Sequence, residues 1–270
     1  MNKTQMQNAE FFKVYSSEFY DDQQAGSLAS AKVVVPLILE KYSVNSVVDI
    51  GCGVGTWLSV FAAHQVKDIC GVDGDYVDRS KLHIPREFFA AADLNSPLSL
   101  NRRFDLAVCL EVAEHLPMAS ASVLVGSLTQ LSNIVLFSAA VPGQGGANHI
   151  NEQWPDYWDR LFGDRGFRSI DWIRPKIWNS GQVDWWYAQN IFVYASEKSS
   201  FGTTNCATAT FCNTDGPLRV VHPGMFEHLR KHYTSLLEDY HTPGMLWCVR
   251  ATAQSIRSAL IRRVPWLTKR

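Results

Sequence analysis

Apolar residues along the chain fall into short β-branched runs separated by longer stretches of helical spacing. VNSVVDIG (44–51) predicts a buried strand, and TWLSVFAAHQ (56–65) a helix behind it. Further strands are expected at 68–74 (DICGVDG), 88–94 (FFAAADL), 104–112 (FDLAVCLEV) and 133–142 (NIVLFSAAVP), the last preceded by a helix at 120–131. A helix over 155–167, stopped near Gly166, leads to two final strands at 167–175 and 189–196. No helix is evident between those two strands, so an antiparallel pairing at one edge is open to them. The stretch 27–42 reads as a helix packed beside the sheet, 199–216 as a polar loop, and 222–240 as a helix beginning near Pro223.

Five strands alternating with helices argue for a doubly wound α/β domain. The full expectation is a seven-stranded, mostly parallel sheet with helices on both faces and a C-terminal helical extension. Its expected divisions are an N-terminal helical cap (1–43), a ligand-binding domain (44–198), a C-terminal extension (199–246) and a basic amphipathic tail (247–270).

Composition narrows the class. Hydrophobic content of 46% with 19% charged residues describes a soluble globular chain. A net charge of −1 gives no reason to expect nucleic acid as a partner. The N-terminus lacks the apolar core of a signal peptide, and no apolar run reaches the length of a membrane span, so a cytoplasmic setting is expected. Six cysteines without a CxxC pair fit reduced thiols better than disulfides or zinc. Residues 247–270 carry six basic residues and no acid, a formal +6 that leaves −7 for the remainder. That tail could lie on an anionic membrane surface, on the inner face of the membrane, or dock on its own domain or on a second subunit in a homodimer.

The strongest local signal is Asp49-Ile-Gly51-Cys-Gly53-Val-Gly55-Thr-Trp57. Glycines at a strand-to-helix turn let a ligand approach the backbone and the helix N-terminal amides. Asp73 ends the next strand, where a carboxylate can accept ribose hydroxyls. A dinucleotide-binding turn wants glycine or alanine at the position held by Thr56. Asp49 would repel a pyrophosphate but welcome a cationic ligand bearing an amino acid, such as a sulfonium cofactor.

Residues 44–145 resemble the class I S-adenosylmethionine-dependent methyltransferases, which have a Rossmann-like fold. VVDIGCGVG matches their glycine-rich motif, GVD their ribose-binding acid and AAADL their adenine loop. FDLAVCLEVAEHLP resembles the fourth-strand motif of the small-molecule branch. The resemblance implies that Asp49, Gly51 and Gly53 contact the methionine portion and nearby ribose, with Gly55 and Trp57 also counted among the cofactor-binding residues. It implies further that Asp73 holds the ribose, Asp93 and Leu94 the adenine, and that Glu111 and Val112 line the pocket. Asp93 could instead cap the chain, and Glu111 and Glu114 could begin a helix.

The acceptor is expected beyond the fifth strand, in PGQGGANHINEQWPDYWDRLF. His149 is the first candidate for a general base, with Glu152 to orient it or serve in its place. The alternative for His149 and Asn151 is to pin the loop, and for His115 to hydrogen-bond at a helix start. His115, Asn151, Trp154, Trp178, Trp185, Trp186 and Tyr187 are expected around the substrate, the aromatic faces stacking on a sugar ring. Trp178, Trp185, Trp186 and Tyr187 are placed in a loop between the last two strands. HINEQWPDYW, RPKIW, WWYAQN and RVVHP resemble a narrower methyltransferase group linked to bacterial surface-glycan modification. That likeness implies a saccharide, nucleotide-sugar or lipid-linked glycan acceptor methylated on a hydroxyl. An amine or another small metabolite, and a non-catalytic scaffold, are the alternatives. No metal is expected, because no closely spaced Asp pair follows the fourth strand, although Glu111, Glu114 and Glu152 are at hand.

Overall fold

The computed structural model describes residues 17–196, 219–241 and 252, with side chains over 25–196 and 219–234 and at 252. The predicted loop 199–216 and nearly all of the basic tail 247–270 lie outside the described residues. The chain forms two compact units, Met1–His222 and Pro223–Arg270. The division therefore falls at Pro223, inside the expected 199–246 extension.

The first unit is built on seven strands: β1 (Ser46–Ile50), β2 (Asp68–Asp73), β3 (Phe89–Ala91), β4 (Leu106–Leu110), β5 (Ile134–Ser138), β6 (Phe167–Ile170) and β7 (Phe192–Ser196). Their order is β3-β2-β1-β4-β5-β7-β6. The first five are mutually parallel, and β7 is antiparallel to both neighbours. β7 is thus inserted between β5 and β6, which leaves β6 at the edge.

Helices cover both faces: α1 (Ser17–Lys41), α2 (Thr56–Ala63), α3 (Ala121–Leu131), α4 (Pro155–Gly163), α5 (Arg174–Ile177) and α6 (Trp185–Asn190). Successive strand residues alternate between two cores, as the pleat requires. Val47, Leu106, Val108, Leu136 and Val193 face α1, α2, α5 and α6. Val48, Ala107, Cys109, Val135, Phe137, Phe192 and Tyr194 face α3 and α4. On α1 the buried positions Ala31, Val34, Val35 and Ile38 follow helical spacing. That face makes α1 part of the core. On the other face Phe162 of α4 stacks on Tyr194 with centroids 3.8 Å apart. Burying such a ring contributes roughly 2–3 kcal/mol.

The strands are shorter than their apolar runs suggest, β3 and β5 among them, and for three others the reason is local. β4 stops at Leu110 because Glu111 takes φ +54°, outside the extended region. β6 stops at Ile170, and a buried Asp171–Arg174 ion pair then bridges the turn into α5. β7 starts only at Phe192, because Gln189 and Asn190 complete α6. The segment expected as an aromatic loop is therefore largely structured. Trp185, Trp186 and Tyr187 open α6, and Trp178 caps α5. Helices of four and six residues are too short for apolar periodicity to reveal.

In the second unit, α7 (Pro223–His241) matches the helix expected at 222–240. Among the described residues no helix is long and apolar enough to cross a membrane.

Candidate cofactor and acceptor site

The parallel strands reverse order between β1 and β4, and the crevice of such a sheet opens at the carboxyl ends of those strands. Two adjoining cavities of about 540 and 710 Å³ lie there, sharing Gly51 and Tyr76. The smaller is lined by Asp73, Asp93, Leu94, Glu111, Val112 and His115, among others. The larger is lined by Asp49, Gly53, Trp57, Lys81, Tyr187 and Ser27.

Gly51 leaves β1 at φ +81°, and a Cβ there would stand 2.3 Å from Val112 Cγ2. Only glycine satisfies both the turn and this approach of the two strand ends. Asp73, at the end of β2, braces the glycine turn. Its Oδ2 accepts the Gly53 amide at 2.7 Å, and its Oδ1 accepts the Gly74 amide and the Tyr76 hydroxyl, each at 2.6 Å. The Asp49 carboxyl is buried and faces the larger cavity. Burial, reinforced by Asp73, pushes its pKa up to about 8. Trp57 meets Tyr187 edge-on at 5.2 Å, and the Tyr187 hydroxyl reaches Ser27 Oγ at 3.4 Å. The wall of the larger cavity is thus made jointly by α1, α2 and α6. α1 and α6 touch closely, since a Cβ at Gly26 would lie 2.3 Å from Asp184 Oδ2.

Asp93 is exposed and accepts the Asn95 amide, the Asn95 side chain and Ser96 Oγ. Those bonds, chiefly from Asn95, hold its pKa below the usual carboxylate value. It therefore caps its turn while also lining the smaller cavity.

Glu111 is the hub of a polar network. Its carboxylate accepts Gln144 Nε2 at 2.9 Å and Asn190 Nδ2 at 3.2 Å. Asn190 also donates to Gln144 Oε1 at 2.8 Å, and Gln189 Oε1 accepts the His222 amide at 2.8 Å. Burial raises the Glu111 pKa despite these donors. One turn on, Glu114 is fully buried and neither of its oxygens has a hydrogen-bonding partner. Burial, then the neighbouring Glu111, drives its pKa well above the ordinary value.

The loop beyond β5 returns to this place. Ile150 and Asn151 donate their amides to the Glu114 carbonyl at 2.9 and 3.0 Å. Glu152 accepts the Gly143 and Gly145 amides, both at 2.8 Å, and bonds His149 Nδ1 at 3.0 Å. A carboxylate already accepting two amides fixes the proton on Nδ1 and leaves the His149 lone pair on Nε2. Gly146 gives the ring room, since a Cβ would stand 2.3 Å from Nε2. His149 meets His115 edge-on at 4.9 Å. Desolvation, and then His149, hold the His115 pKa below its usual value.

Expected cofactor residues Asp49, Gly51, Gly53, Trp57, Asp73, Asp93, Leu94, Glu111 and Val112 all line one cavity or the other. Gly55, in the left-handed conformation, instead caps α2 and packs on Ile84. Of the expected substrate residues, His115 and Tyr187 line the cavities, Tyr187 on the Trp57 side. Asn151 is buried, its side chain engaged with the Ala113 carbonyl and with Gln153, so it pins the loop. Trp154 lies beside the Arg219 guanidinium, and Trp178 packs on His222 at 4.8 Å. Trp185 and Trp186 pack edge-on against each other. None of these four lines either cavity. Tyr76, Gln144, Gln189 and Asn190 were not singled out from sequence. For Tyr76 the available signal was an aromatic in the polar turn directly after the ribose-side acid.

A Rossmann-like sheet with an acid near the end of β1, a tight glycine turn after it and an acid closing β2 forms a nucleoside-cofactor site. The chain belongs to the methyltransferase domain family, whose model matches residues 22–171. It is a class I enzyme, and its cofactor is S-adenosylmethionine. No curated protein matches the chain. Among solved structures, the sugar N-methyltransferase KedS8 from Streptoalloteichus has a TM-score of 0.52 at 15% identity, covering 66% of this chain and 91% of that one. Magnesium protoporphyrin IX methyltransferase from Synechocystis, solved with bound S-adenosylmethionine, has a TM-score of 0.49 at 20% identity, covering 67% and 85%. The first of these likenesses agrees with the fold. The residues present fit the cofactor: the buried Asp49 carboxyl lines the larger cavity, where it could receive a cationic group, and the cavities have the size of ligand sites.

Proposed function

We propose that the chain methylates a hydroxyl of a saccharide or glycan precursor, with Asp49, Asp73 and Asp93 holding the cofactor and His149 serving the acceptor. The observation that carries this reading is the Glu152–His149 pair, set against His115 at the edge of the cofactor cavity. Bound in the crevice, S-adenosylmethionine supplies an electrophilic methyl group and departs as a neutral thioether. His149, with its lone pair on Nε2, takes the hydroxyl proton as the acceptor oxygen forms its new bond to carbon. Glu152 holds the imidazole and stabilises it once protonated. An amine acceptor in its neutral form would not call for such a pair. The polar rim of imidazoles and amides, and the fold shared with a sugar N-methyltransferase, agree with a saccharide. A lipid-linked form would suit the basic segment 247–270, through an anionic membrane surface.

The test is methylation of a panel of saccharides and amino sugars by the full chain, with products weighed and fragmented. A methyl ether is expected, and a methylated amine overturns the hydroxyl assignment. His149→Ala should lower kcat by about 10²–10⁴-fold while leaving the affinity for S-adenosylhomocysteine intact. Undiminished kcat in that variant removes His149 from proton transfer.

A further inference from the structure

Glu114 raises a problem that the methyl-transfer site does not solve. The residue is fully buried, and neither carboxylate oxygen sits in bonding geometry with a donor. The backbone amides of Glu114 and Ala140 favour its charge only from outside that geometry. An isolated ionised carboxylate in such a place costs several kcal/mol or more. A second carboxyl, Glu111, adjoins it: its charge repels an ionised Glu114, and a proton shared between the two favours the neutral form, the state a bound cation would displace. Two imidazoles complete the surroundings. One oxygen of Glu114 and one nitrogen each of His115 and His149 lie within 4.8 Å of one another. Ligands on a common first-row ion, each about 2.1 Å from it, stand up to about 4.2 Å apart, so a small contraction suffices.

We propose that Glu114, His115 and His149 bind a divalent first-row metal cation beside the cofactor cavity. The ligand set selects the metal class. Imidazole with carboxylate suits manganese, iron, cobalt or zinc, whereas calcium demands a cage of oxygens. Glu152 completes the arrangement, since a carboxylate on the far nitrogen of a ligating histidine fixes its tautomer and orientation. His115 and Glu111 line the cavity, so the cation faces the space into which an acceptor comes. Its binding rests on the chain's own residues. Its part in catalysis rests on the hydroxyl reading, which it deepens: a cation lowers the pKa of a hydroxyl brought to it, so that the proton passes to water in the cavity, and with the ion bound His149 serves as its ligand in place of acting as the base. The sequence reading looked for a pair of aspartates after the fourth strand and so expected no metal. The donors come instead from the turn after β4 and from the loop after β5, 34 positions apart in His115 and His149.

The experiment uses untagged full-length protein stripped with a chelator, titrated with Mn²⁺ and followed by the electron paramagnetic resonance of the free ion. Binding of a single Mn²⁺ per chain is expected. His115→Ala and His149→Ala should weaken it about tenfold or more, and Glu152→Gln by about tenfold. Glu114→Gln should abolish it. Circular dichroism and thermal melts report the folding of both histidine variants, and S-adenosylhomocysteine affinity, measured in parallel, should survive in His149→Ala. Failure of the wild type to retain Mn²⁺, or unchanged binding in both histidine variants, overturns the site. Mn²⁺ bound as expected with no saccharide methylated upholds the site and removes the acceptor reading. Full methylation by chelated enzyme removes the ion from the reaction.

Discussion

Asp49 offers the sharpest measurable consequence of the buried crevice. Its carboxyl is held neutral by burial and by Asp73, with a pKa near 8 against an ordinary 3.8. At pH 7 about nine sites in ten therefore carry the proton before the cofactor arrives. The ammonium of the cofactor's amino acid favours the ionised form, so binding S-adenosylhomocysteine should expel about 0.9 proton per site at that pH. Affinity should rise about tenfold from pH 6 to pH 7 and level off above about pH 8. Asp49→Asn removes both effects. At pH 8 it should weaken binding by roughly 2–3 kcal/mol, the worth of a charge-assisted bond, and by much less at pH 6. The same group acts on stability in the opposite sense. Its folded pKa lies above its unfolded one, so the native state keeps a proton that the unfolded chain loses. The stability this contributes is full below about pH 4 and disappears as pH climbs towards 8, by about 1.4 kcal/mol per unit. The Asn variant should lack that slope and be the more stable protein at pH 8. Calorimetry in buffers of different ionisation enthalpy counts the protons, and urea melts from pH 5 to 8 give the slope. Equal proton release by wild type and variant refutes the reasoning.

Three further outcomes follow from the geometry. Gly51→Ala forces a Cβ to 2.3 Å from Val112 at a positive φ; it should cost at least about 1–2 kcal/mol of stability and remove S-adenosylhomocysteine binding, with Val112→Ala restoring part of the loss in thermal melts. Tyr76→Phe deletes the hydroxyl now bonded to Asp73 where the ribose is expected; binding should tighten by about fivefold, near 1 kcal/mol, and a weakened affinity would show that the hydroxyl assists the ligand. Arg174→Ala breaks a buried pair with Asp171 and a bond to the Gln189 carbonyl; denaturation should reveal a loss of about 3–5 kcal/mol, and a loss under 1 kcal/mol would deny the pair its structural role.

Much of the architecture was legible because β1, β2, β4 and β5 are buried on both faces, and such strands must be continuous runs of Val, Ile and Leu. The positions of Asp49, Gly51 and Asp73 were legible for a related reason, since the ends of parallel strands are where a doubly wound sheet binds ligands. The insertion of β7 between β5 and β6 was not legible. Strand order depends on pairings between distant segments, and nothing local encodes it. The tryptophans of 178–186 misled because an aromatic side chain carries the same letter whether it packs on a histidine or on a sugar. Gln144, Gln189 and Asn190 read as ordinary polar residues until folding set Gln144 and Asn190 on Glu111 and Gln189 behind Asn190.

Glu111 adopts a left-handed backbone that a glycine would enter freely, in a half-buried place whose desolvation disfavours its charge. The chain retains there a residue that suits neither demand. Campaigns that rank substitutions by thermal tolerance should therefore favour changes at 111, and on the proposed function those changes should cost methyl transfer while leaving a sturdier shell.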